Sequence, residues 1–178
     1  MPRKVAGDYM KGDKAMRQEL LALLQGGNAH LGFEEVLAEL PLGYINEKPP
    51  NTPYSFWHFV EHMRIAQWDV LEFIRNPAHV SPEYPSGYRP APEEKTDVAG
   101  WQESCDRFVS DLQTLKEMVL DESADLLAPI AHATDYNIFR EILLVADHNA
   151  YHIGELAIMR QVMDLWPPHN RYLTGNGN

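Results

Sequence analysis

Residues 55–77 read SFWHFVEHMRIAQWDVLEFIRNP, and residues 139–168 read FREILLVADHNAYHIGELAIMRQVMDLWPP. Each stretch holds an H-x-x-x-H pair, His58/His62 in the first and His148/His152 in the second, with no Pro or Gly between the rings. Residues four apart on a helix are neighbours on one face, so each pair can present two imidazoles side by side. Such pairs are how a helix offers two nitrogen ligands to a transition metal. If the two segments pack together, the chain has a metal site.

Both stretches read as helices. Ser55 is the expected N-cap of the first, with His58 rather than Glu at the third helical position, which predicts an incomplete capping box. Asn76-Pro77 ends it. At about 100° per residue, Phe56, Phe59, Val60, Met63, Val70, Leu71 and Ile74 form one apolar stripe. His62 falls about 100° from the centre of that stripe, at the edge of the buried face, and His58 about 140° away, nearer solvent. The second helix is expected from Asn137 to Leu165, closed by Pro167-Pro168. Its main stripe is Ile138, Ile142, Ala146, Ala150, Ile153 and Ala157, while Leu144, Val145, Tyr151 and Met159 cover much of the rest. A helix apolar nearly all round is expected to be largely buried. His148 and His152 lie on its second face, with Glu155 sharing that face. Histidine is costly to bury uncompensated, so two on one face want a shared reason. Two readings stay open: a metal, or core histidines each satisfied by a carboxylate such as Glu61, Asp147 or Glu155.

Further helices are expected on either side. One runs from Asp13, as N-cap, through KAMRQELLALLQ to Gly26-Gly27. A shorter one spans Gly32 to Leu40, and the four prolines between Pro41 and Pro53 mark a loop. Five prolines in residues 77–96 mark a long excursion, expected to be a lid or a packed surface segment rather than a second domain. From Asp97, Trp101, Cys105, Phe108, Leu112, Leu115 and Val119 recur at helical steps. Asp125 to Ala128 reads as a turn, and a polar tail with Gly175, Asn176 and Gly177 as frayed. No segment alternates strictly as a half-buried strand does. An all-α chain with four long helices suggests a four-helix bundle, with the Pro-rich loop between the second and third long helices.

Composition narrows the partners. With 15 Lys+Arg against 26 Asp+Glu, the net charge of −11 would repel a phosphate backbone, so nucleic acid is not an expected partner. No apolar run is long enough to span a bilayer, and MPRKVAGDYMKGDK lacks the apolar stretch of a secretory signal. A single cysteine, Cys105, fits a reducing cytoplasm and reads as a small apolar side chain, not a nucleophile. Neither pair is H-E-x-x-H, and no Gly-rich phosphate loop, G-x-S-x-G or CxxC is present. Trp57, Trp68 and Tyr151 read as packing residues.

At the two quoted stretches the chain resembles the DinB-like superfamily of bacterial metal-binding helical bundles. The order of parts is similar too: an N-terminal helix, a loop, a helix with the first histidine, a long excursion, then paired histidines on the last long helix. The resemblance covers most of the chain, weakening before Asp13 and after Pro168. It implies a single domain with an ordered core over about 13–168. It also implies a divalent metal, commonly nickel or zinc with manganese or iron as alternatives, held by three histidines. The first ligand in that family follows the helix-opening Ser by seven residues, which is His62 here, and the terminal pair matches His148 and His152. His58 is then a neighbouring or surface residue. Three neutral imidazoles leave a coordination position open, as in catalytic metal sites. Glu155, which shares the face of the last pair, is a candidate either for a carboxylate that supports a ligand histidine or for a general base. The resemblance implies a thiol-dependent S-transferase acting on a small molecule with a low-molecular-weight thiol. The alternative is a non-catalytic module that the metal staples or through which it senses a ligand. A homodimer fits this family type.

Overall fold

The computed structural model describes residues 6–27 and 29–167. Four long helices and one short one carry it: α1 (Ala6–Gln25), α2 (Phe33–Leu37), α3 (Phe56–Arg75), α4 (Val98–Leu120) and α5 (Ile138–Val162). The fold is mostly helical, as expected, with one small antiparallel pair, β1 (Pro129–Ile130) and β2 (Ala133–Asn137). That pair was not expected. β1 is two residues long and β2 is nowhere fully buried, so neither leaves the alternating pattern that marks a half-buried strand.

Several boundaries move from their expected places. α1 begins at Ala6, and Asp13 lies inside it rather than capping it, with its Oδ2 accepting from Arg17 Nε at 2.7 Å. An acid four residues ahead of a base supports a helix interior as readily as a start. α1 ends where expected, with Gly26 and Gly27 at φ 69° and 80°, conformations that favour glycine. α2 stops at Leu37 instead of Leu40, because Glu39 takes φ 56°. α5 stops at Val162 instead of Leu165, with Asp164 at φ 55° turning the chain. Asp97 and Asn137 cap α4 and α5 as N-caps, each accepting a backbone N–H from three residues on, at 2.8 Å. Pro168 and the tail residues Gly175, Asn176 and Gly177 lie outside the described residues.

Side-chain contacts give the helix directions. Gln67 bonds to Asn149 while His62 meets His152, so α3 and α5 are antiparallel. Trp57 and Glu61 meet Ser104, and Gln67 meets Phe108, so α3 and α4 run the same way. Parallel neighbours cannot be joined by a tight turn. The chain must return the length of α3 before α4 starts, which is the work of residues 76–97.

Two apolar clusters fill the interior. One gathers Phe33, Val36, Phe56, Val60, Met63, Phe108 and Leu156, and the other Leu20, Leu71, Leu115, Val119, Ile142 and Val145. Between them, Gln67 (1 % exposed) and Asn149 (6 %) form a buried amide pair at 2.9 Å, and Gln67 also donates to the Phe108 carbonyl at 2.7 Å. The expected burial of α5 all round does not hold. Leu144, Tyr151, Ile158 and Val162 form an exposed strip on its outer side, Tyr151 being 65 % exposed. With α1, α2, α3 and β2 packed on α5, that strip stays exposed among the described residues.

α4 has no basic residue in its last turn. Arg17 of α1 serves its end instead, donating to the Val119, Asp121 and Ala124 carbonyls at 2.8, 3.0 and 2.6 Å. Replacing Arg17 with Met strands those acceptors, and urea unfolding is expected to show a loss of about 2–3 kcal/mol at an unchanged m value. Cys105 sits half-buried on α4, and burial, then Asp106, pushes its thiol up to about 12. Iodoacetamide at pH 8 should leave it unmodified in the native protein and label it once the protein is unfolded.

Candidate metal centre

Three of the four paired histidines converge. His62 Nε2 lies 3.1 Å from His152 Nε2 and 3.2 Å from His148 Nε2. All three ligand atoms fall within 4.8 Å of one another, with His152 buried and the other two half-buried. The sequence supplies this simply: α5 places His148 and His152 one turn apart, and antiparallel α3 brings His62 across to meet both.

On His62 and His152 the other ring nitrogen is committed elsewhere. His62 Nδ1 lies 2.8 Å from the Tyr88 carbonyl, which can only accept, so that nitrogen carries the proton. His152 Nδ1 lies 2.6 Å from Glu155 Oε2, and a carboxylate there likewise takes an N–H. In neutral rings this leaves the Nε2 lone pairs of His62 and His152 facing each other with no hydrogen to share. Burial, before any other cause, lowers the basicity of all three rings. His148 falls to about 4, with His152 and His62 adding to the effect. His152 also falls to about 4, through burial, His62 and Arg89, against the pull of the carboxylate on its Nδ1.

Neutral nitrogens at this spacing fit a divalent ion. Around an ion about 2.0–2.1 Å from each nitrogen, the N···N edge is about 2.8–3.0 Å at right angles and about 3.3–3.4 Å at tetrahedral angles. The observed 3.1 and 3.2 Å lie between. The cluster is therefore consistent with a divalent metal.

His58 is not part of the cluster. The expectation that it is excluded holds, but the expectation that it faces solvent does not: it is 1 % exposed. Its Nδ1 takes the Ser55 N–H at 3.3 Å and lies 2.7 Å from Ser55 Oγ, so imidazole replaces the usual Glu and the capping box is complete after all. Its Nε2 donates to the Ala91 carbonyl at 2.9 Å. Helical phase counted distance from the core stripe alone, and the residues 76–97 crossover covers the other side.

That crossover is tied to α3 at several points. Asp69 accepts from Tyr88 Oη at 2.6 Å and from His79 Nε2 at 2.7 Å. Burial, then Asp69, pushes the Tyr88 phenol up to about 12, so it stays a donor. Further down, Asn46 exchanges two hydrogen bonds with the Thr96 backbone, and Lys48 Nζ donates to the Pro92 carbonyl at 2.6 Å. Between crossover and α3 lies a cavity of 530 Å³, bordered by His62, Tyr54, Tyr84, Tyr88 and Arg89. Nothing in the sequence singled out Tyr88, Arg89 or the His79–Asp69 pair, because each works through contacts made by an irregular segment.

A family model described as the DinB superfamily matches residues 14–156, most of the chain, and the chain belongs to that superfamily. Comparison with curated proteins and with solved structures returned no match.

Metal content checks the cluster directly. Wild-type protein is expected to retain one equivalent of divalent ion after dialysis, and His148→Ala none, by elemental analysis. His58→Gln should retain it. With free ion at about 100 times its dissociation constant, the wild type gains about 2.7 kcal/mol, or about 5–10 °C in Tm. His148→Ala should gain nothing.

Proposed function

We propose that this DinB-superfamily chain is a metal-dependent thiol S-transferase, a single-domain four-helix bundle that holds a divalent ion on His62, His148 and His152. The observation that carries the metal is the convergence of Nε2 lone pairs whose partner nitrogens are already spent on Tyr88 and Glu155. When bound, the ion would act as a Lewis acid that favours the deprotonated form of a thiol. Nickel or zinc suits three imidazoles best, with manganese or iron next.

The chain's own residues set the conditions for the reaction. The Tyr88 carbonyl and the Glu155 carboxylate hold two rings in one tautomer and orientation. We therefore assign Glu155 as a positioning residue for His152, the first of the two roles that the sequence left open for it. The cavity beside His62 has room for a thiol and a small electrophile, and the tied-down crossover forms its fixed wall. Transfer forms one carbon–sulfur bond, and the leaving group departs with its electron pair. The thiol proton passes to solvent through the open cavity.

No helix among the described residues is long and apolar enough to cross a membrane, and the reading places the protein in the cytoplasm. It also includes a homodimer in which a second copy covers the α5 strip of Leu144, Tyr151, Ile158 and Val162. One observation favours a non-catalytic reading: an ion on these three rings would cross-link α3 and α5 and so stabilise the fold without turnover. Conjugation of 1-chloro-2,4-dinitrobenzene with small thiols separates the two. The transferase reading requires a rate above the uncatalysed one that appears with nickel, zinc or manganese and returns to background in His148→Ala. Metal-dependent stabilisation with only background rates would support the structural reading.

A further inference from the structure

Arg89 stands beside the three-histidine cluster with no hydrogen bond or ion pair of its own among the described residues. Its guanidinium carbon lies 4.1 Å from the centre of the Tyr54 ring and 5.5 Å from that of Phe59. Phe59 in turn lies 5.9 Å from the His152 ring, and Arg89 borders the same cavity as His62. Arg89 directly follows Tyr88, whose carbonyl holds His62, so the guanidinium is carried by a backbone already fixed to the cluster. Its positive charge depresses the basicity of His62, His148 and His152, so it acts within electrostatic reach of all three.

What the guanidinium lacks is an acceptor. Among the described residues it makes no hydrogen bond and no ion pair, although the chain carries 26 acidic residues against 15 basic ones. The carboxylate that feels its charge, Glu155, is already spent on His152 Nδ1. Guanidinium is charged at every physiological pH and presents its N–H donors in a planar fork that matches a carboxylate. The Tyr54 and Phe59 rings lie within cation–π reach of it. A cation set next to a divalent-ion site is repulsive unless an anion sits between them.

We infer that Arg89 selects the ligand: the small molecule that reaches the three-histidine centre carries a carboxylate, paired by Arg89, while its thiol end meets the metal. This rests on the metal reading above and names the substrate class for it. Tyr54, Tyr84, Tyr88 and His62, which also border the cavity, add no second fixed cation, so the site suits a singly charged carboxylate better than a phosphate dianion.

The test uses cobalt-loaded protein and the thiolate-to-cobalt absorption band, titrated with 3-mercaptopropionate and with the neutral 3-mercapto-1-propanol. Wild type is expected to bind the acid about tenfold to a hundredfold more tightly than the alcohol, the range of a charge-assisted hydrogen-bonded pair. Arg89→Gln should erase that preference while still binding cobalt, at least as tightly as wild type because the repelling charge is gone, and Arg89→Lys should restore part of the preference. Circular dichroism checks that both variants fold. Equal affinities in wild type would overturn the assignment while leaving the metal reading intact. So would a preference that survives in Arg89→Gln, since the carboxylate would then be chelating cobalt by itself. No thiolate band with either compound overturns the inference together with thiol chemistry at the site. Failure of wild type to bind cobalt overturns the metal reading itself.

Discussion

The amide pair Gln67–Asn149 sets the register on which everything else depends. It sits between two apolar clusters, where an unpaired amide would cost more than the bond returns, so α3 and α5 can slide past each other only by breaking it. Gln67 also holds the Phe108 carbonyl, so α4 is fixed by the same side chain. His148 immediately precedes Asn149, and His62 lies just over a turn before Gln67. Alignment of the three imidazoles to within hydrogen-bonding distances follows from a polar contact that is not itself part of the cluster. Apolar packing alone would not give this, because a core of Leu, Ile and Phe tolerates small shifts at modest cost.

A second constraint follows from helix direction. Since α3 and α4 are parallel, the chain has to travel back along the bundle between them, and that return segment is forced to pass over α3. Three polar side chains of α3 exploit the passage: His58 takes Ala91, His62 takes Tyr88, and Asp69 takes both Tyr88 and His79. The prolines of this stretch remove backbone donors and restrict φ, which lowers the entropy lost when the segment is held in one path. Of the lid and the packed surface segment that the sequence left open, the structure has the packed segment. It contributes a carbonyl to one ring of the three-histidine cluster and a guanidinium to the cavity next to it.

The sequence made the helices and the cluster legible to the extent that helical geometry governs them. The stripe of Phe56, Phe59, Val60, Met63, Leu71 and Ile74 is buried, and His62 stands at its edge as phase predicts. Phase fails for His58, because angle from the core stripe measures exposure only when nothing covers the opposite face. It fails again for Leu144 and Tyr151, which are exposed, since apolar character states what a surface would gain from burial and not whether a neighbour is there. Asp13 shows the same ambiguity in miniature, a residue type shared by helix starts and by helix-interior ion pairs. Arg89 was illegible for another reason. Its significance lies in the partner it does not have, and a missing partner leaves no pattern along the chain.

Placing the neutral Nε2 lone pairs of His62 and His152 3.1 Å apart in a half-buried setting runs against the ordinary rule that buried polar atoms find hydrogen-bond partners. No donor lies between His62 and His152, because the Tyr88 carbonyl and Glu155 claim the protons on the far sides of the rings. Protonating a ring would supply a donor, yet burial and the nearby Arg89 charge both oppose it. A natural chain keeps such local conflicts where another gain offsets them. On the metal reading proposed above, a cation held by the three rings would resolve the conflict. The same cation makes the neighbouring Arg89 more costly to leave unpaired. On the readings proposed above, the lone pairs would take a metal and the guanidinium an anion, and a single ligand with a sulfur at one end and a carboxylate at the other would answer to both.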